Sequence, residues 1–297
     1  MSLAFFELPS TSKKAIVIVG LGFIGSCIAD YLALFSEKQS TPQKHLIDWL
    51  DPNDLANTIL SICKSRKYQS LDIIWSAGKG GFASNDTQMK QEFSFFEDCI
   101  STIHAAQSSP LVVNLLSSAG GLYEGSGRVH SIEQISLLRP YSKWKYQQET
   151  LLDKLGIPNR IYRISSVYGP SSNDHRRGLI NTLISHSLSG DRVTISANQN
   201  TLRDYVFNRD LARHIVESIQ QDVPPGIQIL ASGRPVSIDM LKNMVVKIMH
   251  KDVLLTYNAD SQNDRNITFD RSLIGFTFAP TSLEEGLPLT IQQFRSC

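Results

Sequence analysis

From Ala15 to Val19 every side chain is small and apolar or β-branched, with no polar residue breaking the run. That pattern predicts a strand buried on both faces, since a half-exposed strand alternates apolar with polar. Glycines follow at 20, 22 and 25, and an apolar periodicity of helical type continues to about Phe35. After a polar connection over 37–44, His45-Leu46-Ile47-Asp48-Trp49 reads as a short strand ending in an acid. Asp51-Pro52-Asn53-Asp54 then caps a helix predicted from about Leu55 to Tyr68. Next come a strand over Leu71–Gly78, a long helix over Asp86–Ala106 and a second buried strand over Leu111–Leu116. The Lys, Gln, Glu and Leu content of Tyr141–Leu155 predicts another helix, followed by a strand over Asn159–Ser165 and a turn at Tyr168-Gly169-Pro170.

Strand and helix therefore alternate, which is the signature of an α/β fold with a doubly wound, mostly parallel sheet of Rossmann type. Beyond Pro170 the elements shorten, and hinge-like turns occur at Asp222-Val223-Pro224-Pro225-Gly226 and Gly233-Arg234-Pro235. The expected division is a dinucleotide-binding domain over 1–170 and a smaller substrate-binding lobe over 171–297, some of whose segments return to the main sheet. That lobe is expected to close over the ligand. Met1–Lys14, with Pro9 and a Ser/Thr cluster, reads as a polar lead-in.

The 297 residues suffice for one large domain with an appendage. A net charge of +1 from intermixed acids and bases gives no footprint for nucleic acid or a membrane surface, which leaves a small molecule as the expected ligand. Cys27, Cys63, Cys99 and Cys297 show neither Cys-x-x-Cys spacing nor histidine partners, so reduced thiols are expected, with no metal site. The chain shows no secretory signal pattern and no apolar run of about 20 residues, and a cytoplasmic location is expected.

Candidate chemistry gathers at the predicted strand ends. Gly20-Leu21-Gly22-Phe23-Ile24-Gly25 is Gly-x-Gly-x-x-Gly between a buried strand and a helix. There Gly20 permits the turn, Gly22 lets the backbone approach a pyrophosphate, and Gly25 lets helix and strand pack closely. Asp48 is the acid at a strand end where a dinucleotide fold places a ribose-binding carboxylate, and a loop aspartate fits as well. Ala77 and Gly78 are small, as the edge of a cofactor requires. Ser117 and Ser118 put hydroxyls at the carboxyl end of a central strand. Tyr141 and Lys145, four apart, share a helix face. An ammonium beside a phenol favours phenolate: a free tyrosine titrates near pH 10, so one working as a base near neutrality needs a depression of about 3 units. The spacing alone also fits an ordinary exposed face.

Taken in order, Gly20–Gly25, Ser117-Ser118-Ala119-Gly120-Gly121-Leu122-Tyr123, Tyr141-Ser142-Lys143-Trp144-Lys145, Arg163-Ile164-Ser165-Ser166-Val167-Tyr168-Gly169-Pro170, Thr201-Leu202-Arg203-Asp204-Tyr205-Val206-Phe207 and Thr281-Ser282-Leu283-Glu284-Glu285-Gly286-Leu287 resemble the extended short-chain dehydrogenase/reductases. Within these, the likeness is to the NAD-dependent nucleotide-sugar epimerase/dehydratase family, over nearly the whole chain. The resemblance implies a bound NAD, with NADP not excluded, and a nucleotide-sugar substrate. It makes Tyr141 the acid/base for a sugar hydroxyl and has Lys145 hold the nicotinamide ribose. Ser118, or Ser117, would hydrogen-bond the same sugar oxygen. Ile164, Ser165 and Val167 would lie by the nicotinamide, while Ser166, Arg203 and Arg265 would face the substrate and its diphosphate. A homodimer is a further implication, with Phe93, Phe95, Phe96, Trp144 and Leu151 fitting either a dimer contact or the core.

Three departures shape the expectation. Only one strand, rather than two, lies between the glycine helix and the strand ending at Gly78, so Asp48 matches either the ribose acid or an adenine-contacting aspartate. Ala119 stands where many relatives carry the catalytic hydroxyl, which favours Ser118. The acid pair of sugar dehydratases is absent, and Ser166 replaces an asparagine. The resulting expectation is a 4-epimerase, with a keto-sugar or carbonyl reductase and a non-catalytic dinucleotide-binding protein as alternatives.

Overall fold

The computed structural model describes residues 2–7, 14–34, 43–46, 51–170, 178–258 and 264–296. In chain order its elements are β1 (Ser2–Glu7), β2 (Lys14–Val19), α1 (Phe23–Ala33), β3 (Gln43–Leu46), α2 (Pro52–Arg66), β4 (Ser70–Trp75), α3 (Asp86–Ala106), β5 (Leu111–Ser118) and α4 (Ala119–Leu122). There follow β6 (Gly127–Val129), α5 (Pro140–Lys154), β7 (Asn159–Ile164), β8 (Ser166–Tyr168), α6 (Leu179–Ser189), β9 (Val193–Ile195), β10 (Leu202–Arg203), β11 (Tyr205–Phe207) and α7 (Asn208–Gln220). The chain ends with β12 (Gly226–Leu230), β13 (Val236–Ser237), α8 (Ile238–Met249), β14 (Leu255–Tyr257), β15 (Ile267–Phe269) and α9 (Leu283–Ser296). Two compact units interleave along the chain. The first takes Met1–Leu122, Leu137–Arg163 and Ala212–Gln228; the second takes Tyr123–Ser136, Ile164–Leu211 and Ile229–Cys297.

The first unit is built on a seven-stranded sheet of order β12-β7-β5-β4-β2-β1-β3. Strands β2, β4 and β5 run parallel, and β1 lies antiparallel to both β2 and β3. Because the side chains of a strand alternate between faces, a sheet covered on both sides is apolar at most positions on both faces. Val17, Val19, Ile73, Trp75, Val113 and Leu115 point into one core, with Leu55, Ile59, Phe95, Phe96, Ile100 and Leu152 from α2, α3 and α5. Ile16, Ile18 and Ile74, on the alternate positions, are equally buried. The aromatic content of that first core packs tightly, with Trp75 edge-on to Phe96 at 4.9 Å between centroids. Phe95, Phe96 and Leu151 belong to this core, while Phe93 and Trp144 are half-buried and pack on each other, their centroids 5.2 Å apart.

The helices that carry the site begin where local chemistry dictates. Asp51 accepts from the amides of Asn53 and Asp54 at 2.9 and 3.1 Å and starts α2. Asn85 and Gln88 form a reciprocal capping box at the start of α3, which runs over the span its periodicity predicts. At α5, Pro140 occupies the first turn and the Ser142 hydroxyl accepts from the Arg139 amide at 3.2 Å.

The second unit holds a four-stranded sheet of order β13-β10-β15-β6 and the strand pairs β11-β8 and β14-β9. Its core joins Tyr168, Ile180, Leu183, Tyr205, Phe207, Leu241, Val245, Leu287 and Ile291.

Two expectations are corrected. The lead-in expected over Met1–Lys14 contains β1, whose Leu3, Ala4, Phe5 and Phe6 are all buried. A short apolar run followed by Pro9 and hydroxyl residues carries little local strand signal; its pairing with β2 and β3, distant in sequence, makes it a strand. The candidate strand His45–Trp49 is instead Gln43–Leu46, shifted toward the amino terminus and antiparallel to β1. Asp48 lies outside the described residues. Of the cysteines, Cys63 and Cys99 are buried thiols whose pKa values burial pushes up to about 11 and about 12, Cys27 is half-buried and in no disulfide, and Cys297 lies outside the described residues.

Candidate active site

Strand β2 stops at Val19 and α1 starts at Phe23, so the glycines occupy the turn and the first helical residues. Gly20 has φ +94°, in the left-handed region, and a Cβ there would lie 2.6 Å from the Ala77 Cα, so only glycine lets the turn pass the end of β4. A Cβ on Gly25 would fall 1.9 Å from the Gly20 carbonyl oxygen. Gly22 is different: it is exposed, it precedes the first helical residue, and nothing lies within 4 Å of where its Cβ would be. Closed where packing requires it and open before the free amides of an 11-residue helix, this cradle fits a dinucleotide pyrophosphate. Phe23 and Ile24 are half-buried in the first turn of α1. Ala77 is buried and Gly78 half-buried, and a Cβ on Gly78 would meet Glu92 Oε1 at 2.7 Å.

Along α5, Tyr141, Lys145 and Glu149 follow one another at helical spacing on one face. Tyr141 is half-buried, its ring 5.6 Å from that of Phe82. A Cβ on Gly121 would lie 3.0 Å from Tyr141 Cδ1 and 3.4 Å from Ser118 Oγ, so the bare glycine backbone lets the phenol ring and the hydroxyl converge on one point. Ser118 Oγ accepts from the Gly121 amide at 3.0 Å, which orients it. The Arg139 guanidinium lies over the Phe82 ring at 5.2 Å. Lys145 is buried; its ammonium donates to Gln148 Oε1 at 3.1 Å and lies 3.9 Å from Glu92 Oε1.

Ser117 is placed otherwise. It is buried and donates its hydroxyl to Glu149, which also takes Arg163 Nη2 at 2.7 Å and Arg163 Nε at 3.2 Å. Hydroxyl, carboxylate and guanidinium thus satisfy one another within the core, and of the two serines it is Ser118 that lies beside Tyr141.

The remaining candidates belong to the second unit. Ile164 is buried; Ser165, Ser166 and Val167 are half-buried, and Ser166 pairs with Tyr205 across β8 and β11. Ser165 Oγ donates to Asp204 at 3.3 Å, and Asp204 also accepts the amides of Ser232 and Gly233 at 2.6 and 2.8 Å. Burial pushes the Asp204 carboxyl above the usual carboxylate range, and these donors oppose the shift. Arg203 Nη1 donates to the Leu202 carbonyl at 2.9 Å and to the Arg265 carbonyl, while the Arg265 side chain is exposed. Arg203 and Arg265 are therefore brought together through backbone.

Sequence reasoning did not single out Phe82 and Glu92, which lie against Tyr141 and Lys145, or Glu149, which holds Ser117 in the core. Glu149 had a signal, since it continues the Tyr141 and Lys145 spacing by one more turn. Phe82 and Glu92 had none: the one is a lone aromatic in a glycine-rich loop, the other one acid among several on α3. No group of metal-ligating side chains occurs among the described residues, and no described helix is long and apolar enough to cross a membrane.

A sequence model of the NAD dependent epimerase/dehydratase family matches residues 16–230. UDP-glucuronic acid decarboxylase 6 of Arabidopsis thaliana is 24% identical over 198 residues, covering 61% of this chain and 57% of that protein. The chain thus spans little more than half the length of the curated relatives it matches. Among solved structures, MoeE5 in complex with UDP-glucuronic acid and NAD has a TM-score of 0.78 at 22% identity, covering 95% of this chain and 98% of its own. UDP-glucose 4-epimerase of Thermus thermophilus, in complex with NAD, has a TM-score of 0.77 at 16% identity, with coverage of 95% and 98%. These likenesses establish the Rossmann-type fold.

Proposed function

Since the chain belongs to the NAD-dependent epimerase/dehydratase family, we propose that it is a 4-epimerase of a nucleotide-activated sugar in which Tyr141 is the acid/base. The observation that carries this reading is the convergence of the Tyr141 ring and Ser118 Oγ on the bare Gly121 backbone, with the Lys145 ammonium buried one helical turn away. Bound NAD would supply reversible hydride transfer at the sugar carbon. Gly22 and the first amides of α1 hold the pyrophosphate, while Gly20 makes the turn that presents them. Tyr141 removes the proton of the C4 hydroxyl and later restores it. Ser118, already oriented by the Gly121 amide, donates to the same sugar oxygen and stabilises it as charge develops. Lys145 holds the nicotinamide ribose, and its charge favours the phenolate. Arg203 and Arg265 bind the diphosphate, a task suited to planar guanidinium forks.

In Tyr141→Phe, turnover falls at least several hundredfold, since the proton-transfer group alone is removed, while NAD affinity measured by titration stays nearly unchanged. Undiminished turnover in that variant would sink the mechanism. If activity requires fresh reductant with every cycle, the reductase reading replaces the epimerase. A third reaction is favoured by the curated decarboxylase relatives. Oxidation at C4 of a hexuronic acid makes its carboxylate β to a ketone, and loss of carbon dioxide follows. Release of carbon dioxide from UDP-glucuronic acid by the purified chain identifies that outcome.

A further inference from the structure

Glu92, on α3, has a side chain only 8% exposed, and its two oxygens have unlike surroundings. Oε2 accepts from the Lys79 amide at 2.7 Å and the Gly80 amide at 2.8 Å, which fixes the loop after β4. Oε1 is buried, has no hydrogen-bond donor, and faces the Lys145 ammonium at 3.9 Å. A glutamine would serve the two amides equally well, so the loop alone does not call for a charge. The nearby Glu149 does not supply one, because its carboxylate is paired with Arg163.

We propose that Glu92 sets the oxidation-state preference of the bound dinucleotide: lying against the still-charged Lys145, it offsets the ammonium's field at the nicotinamide and lets the site hold the cationic, oxidised ring more tightly than the neutral, reduced one. This rests on the cofactor role given above to Lys145. A lone buried ammonium beside a nicotinamide that carries positive charge only when oxidised would favour NADH. A carboxylate next to the ammonium cancels much of that repulsion, and in a partly dry site charge interactions are far stronger than in water. Glu92 is thus a positioning residue for Lys145 and for the loop. An epimerase has to rest with oxidised cofactor, so the preference matches the cycle.

The test is isothermal titration of the full chain, freed of any co-purified dinucleotide, with NAD⁺ and with NADH. In Glu92→Gln, which keeps an acceptor for both amides, NAD⁺ affinity falls about tenfold more than NADH affinity. Glu92→Asp retains the charge, so the ratio of the two affinities stays within about twofold of the parent even if both weaken as the loop loosens. Equal weakening of both forms in Glu92→Gln, or no change, would make Glu92 a loop staple and overturn the proposal. A parent chain that binds neither form would overturn the cofactor reading beneath it, whereas active Tyr141→Phe would overturn only the acid/base assignment.

Discussion

At the scale of single residues, the three glycines of the β2–α1 turn are open to opposite perturbations. Gly25→Ala would place a methyl group 1.9 Å from the Gly20 carbonyl oxygen. Backbone cannot yield there as a flexible side chain would, and a destabilisation of about 3 kcal/mol or more is expected. Gly22→Ala meets nothing within 4 Å, and with φ −81° its backbone suits any residue. Its stability should match the parent to about 0.5 kcal/mol, yet the added methyl stands where the pyrophosphate must approach, and NAD affinity should fall at least about tenfold. Thermal melts and NAD titrations of the two variants separate the roles; a Gly22→Ala chain that binds NAD like the parent would remove the loop from the cofactor site. These glycines are legible in sequence because their reason is local, a turn between adjacent elements. Glu92 was not, because its reason is Lys145 on another helix, and nothing in the spacing of α3 distinguishes it from Glu97 or Asp98.

At the scale of elements, α5 is tied to β7 and β5 by one buried cluster, Arg163, Glu149 and Ser117. Arg163 is 2% exposed, so the pair has been taken fully out of water and each charge depends on the other. Arg163→Met leaves the Glu149 carboxylate buried and unpaired, and the denaturation midpoint should drop by the equivalent of about 3–5 kcal/mol. Adding Glu149→Leu should recover a large part of that loss, because the cost arises from the orphaned charge. If the double variant is no more stable than the single one, packing of the guanidinium is what matters. The helix itself was legible from composition, but the face it turns inward was not, since the Tyr141–Lys145 spacing alone also fits an exposed face. The ambiguity between Ser117 and Ser118 was not, since it is decided by which face of β5 meets Glu149.

At the scale of the whole molecule, the order of strands was the least legible feature, and β1 shows why. In the usual dinucleotide-binding order, the strand beside the glycine strand is the next one in sequence and runs parallel to it. Here that slot is taken by Ser2–Glu7, running antiparallel, which brings the Ser2 carbonyl to the carboxyl end of the sheet, where it accepts the Gly20 amide at 2.9 Å. The sequence pattern showed one strand too few between Gly25 and Gly78, and the sheet makes up the number with residues from elsewhere in the chain. Such a replacement depends on pairing at long range, which no local window reports. It also makes β1 structural: Leu3 and Phe5 enter the main core, Phe5 lies 5.6 Å from Tyr68 between ring centroids, and the strand covers an edge of β2 that would otherwise be an open, fully apolar ladder. Bare edges of that kind pair with other chains. A chain starting at residue 8 should therefore melt at least about 10 °C lower, by loss of several buried side chains, and should enter the insoluble fraction on expression. A soluble truncation with an unshifted melt would mean that β3 can close directly on β2 and that β1 is an accessory. If instead the melt shifts and added NAD raises it by the same increment as in the full chain, then β1 supports the sheet without shaping the glycine loop, and the hydrogen bond from Gly20 to Ser2 contributes stability alone.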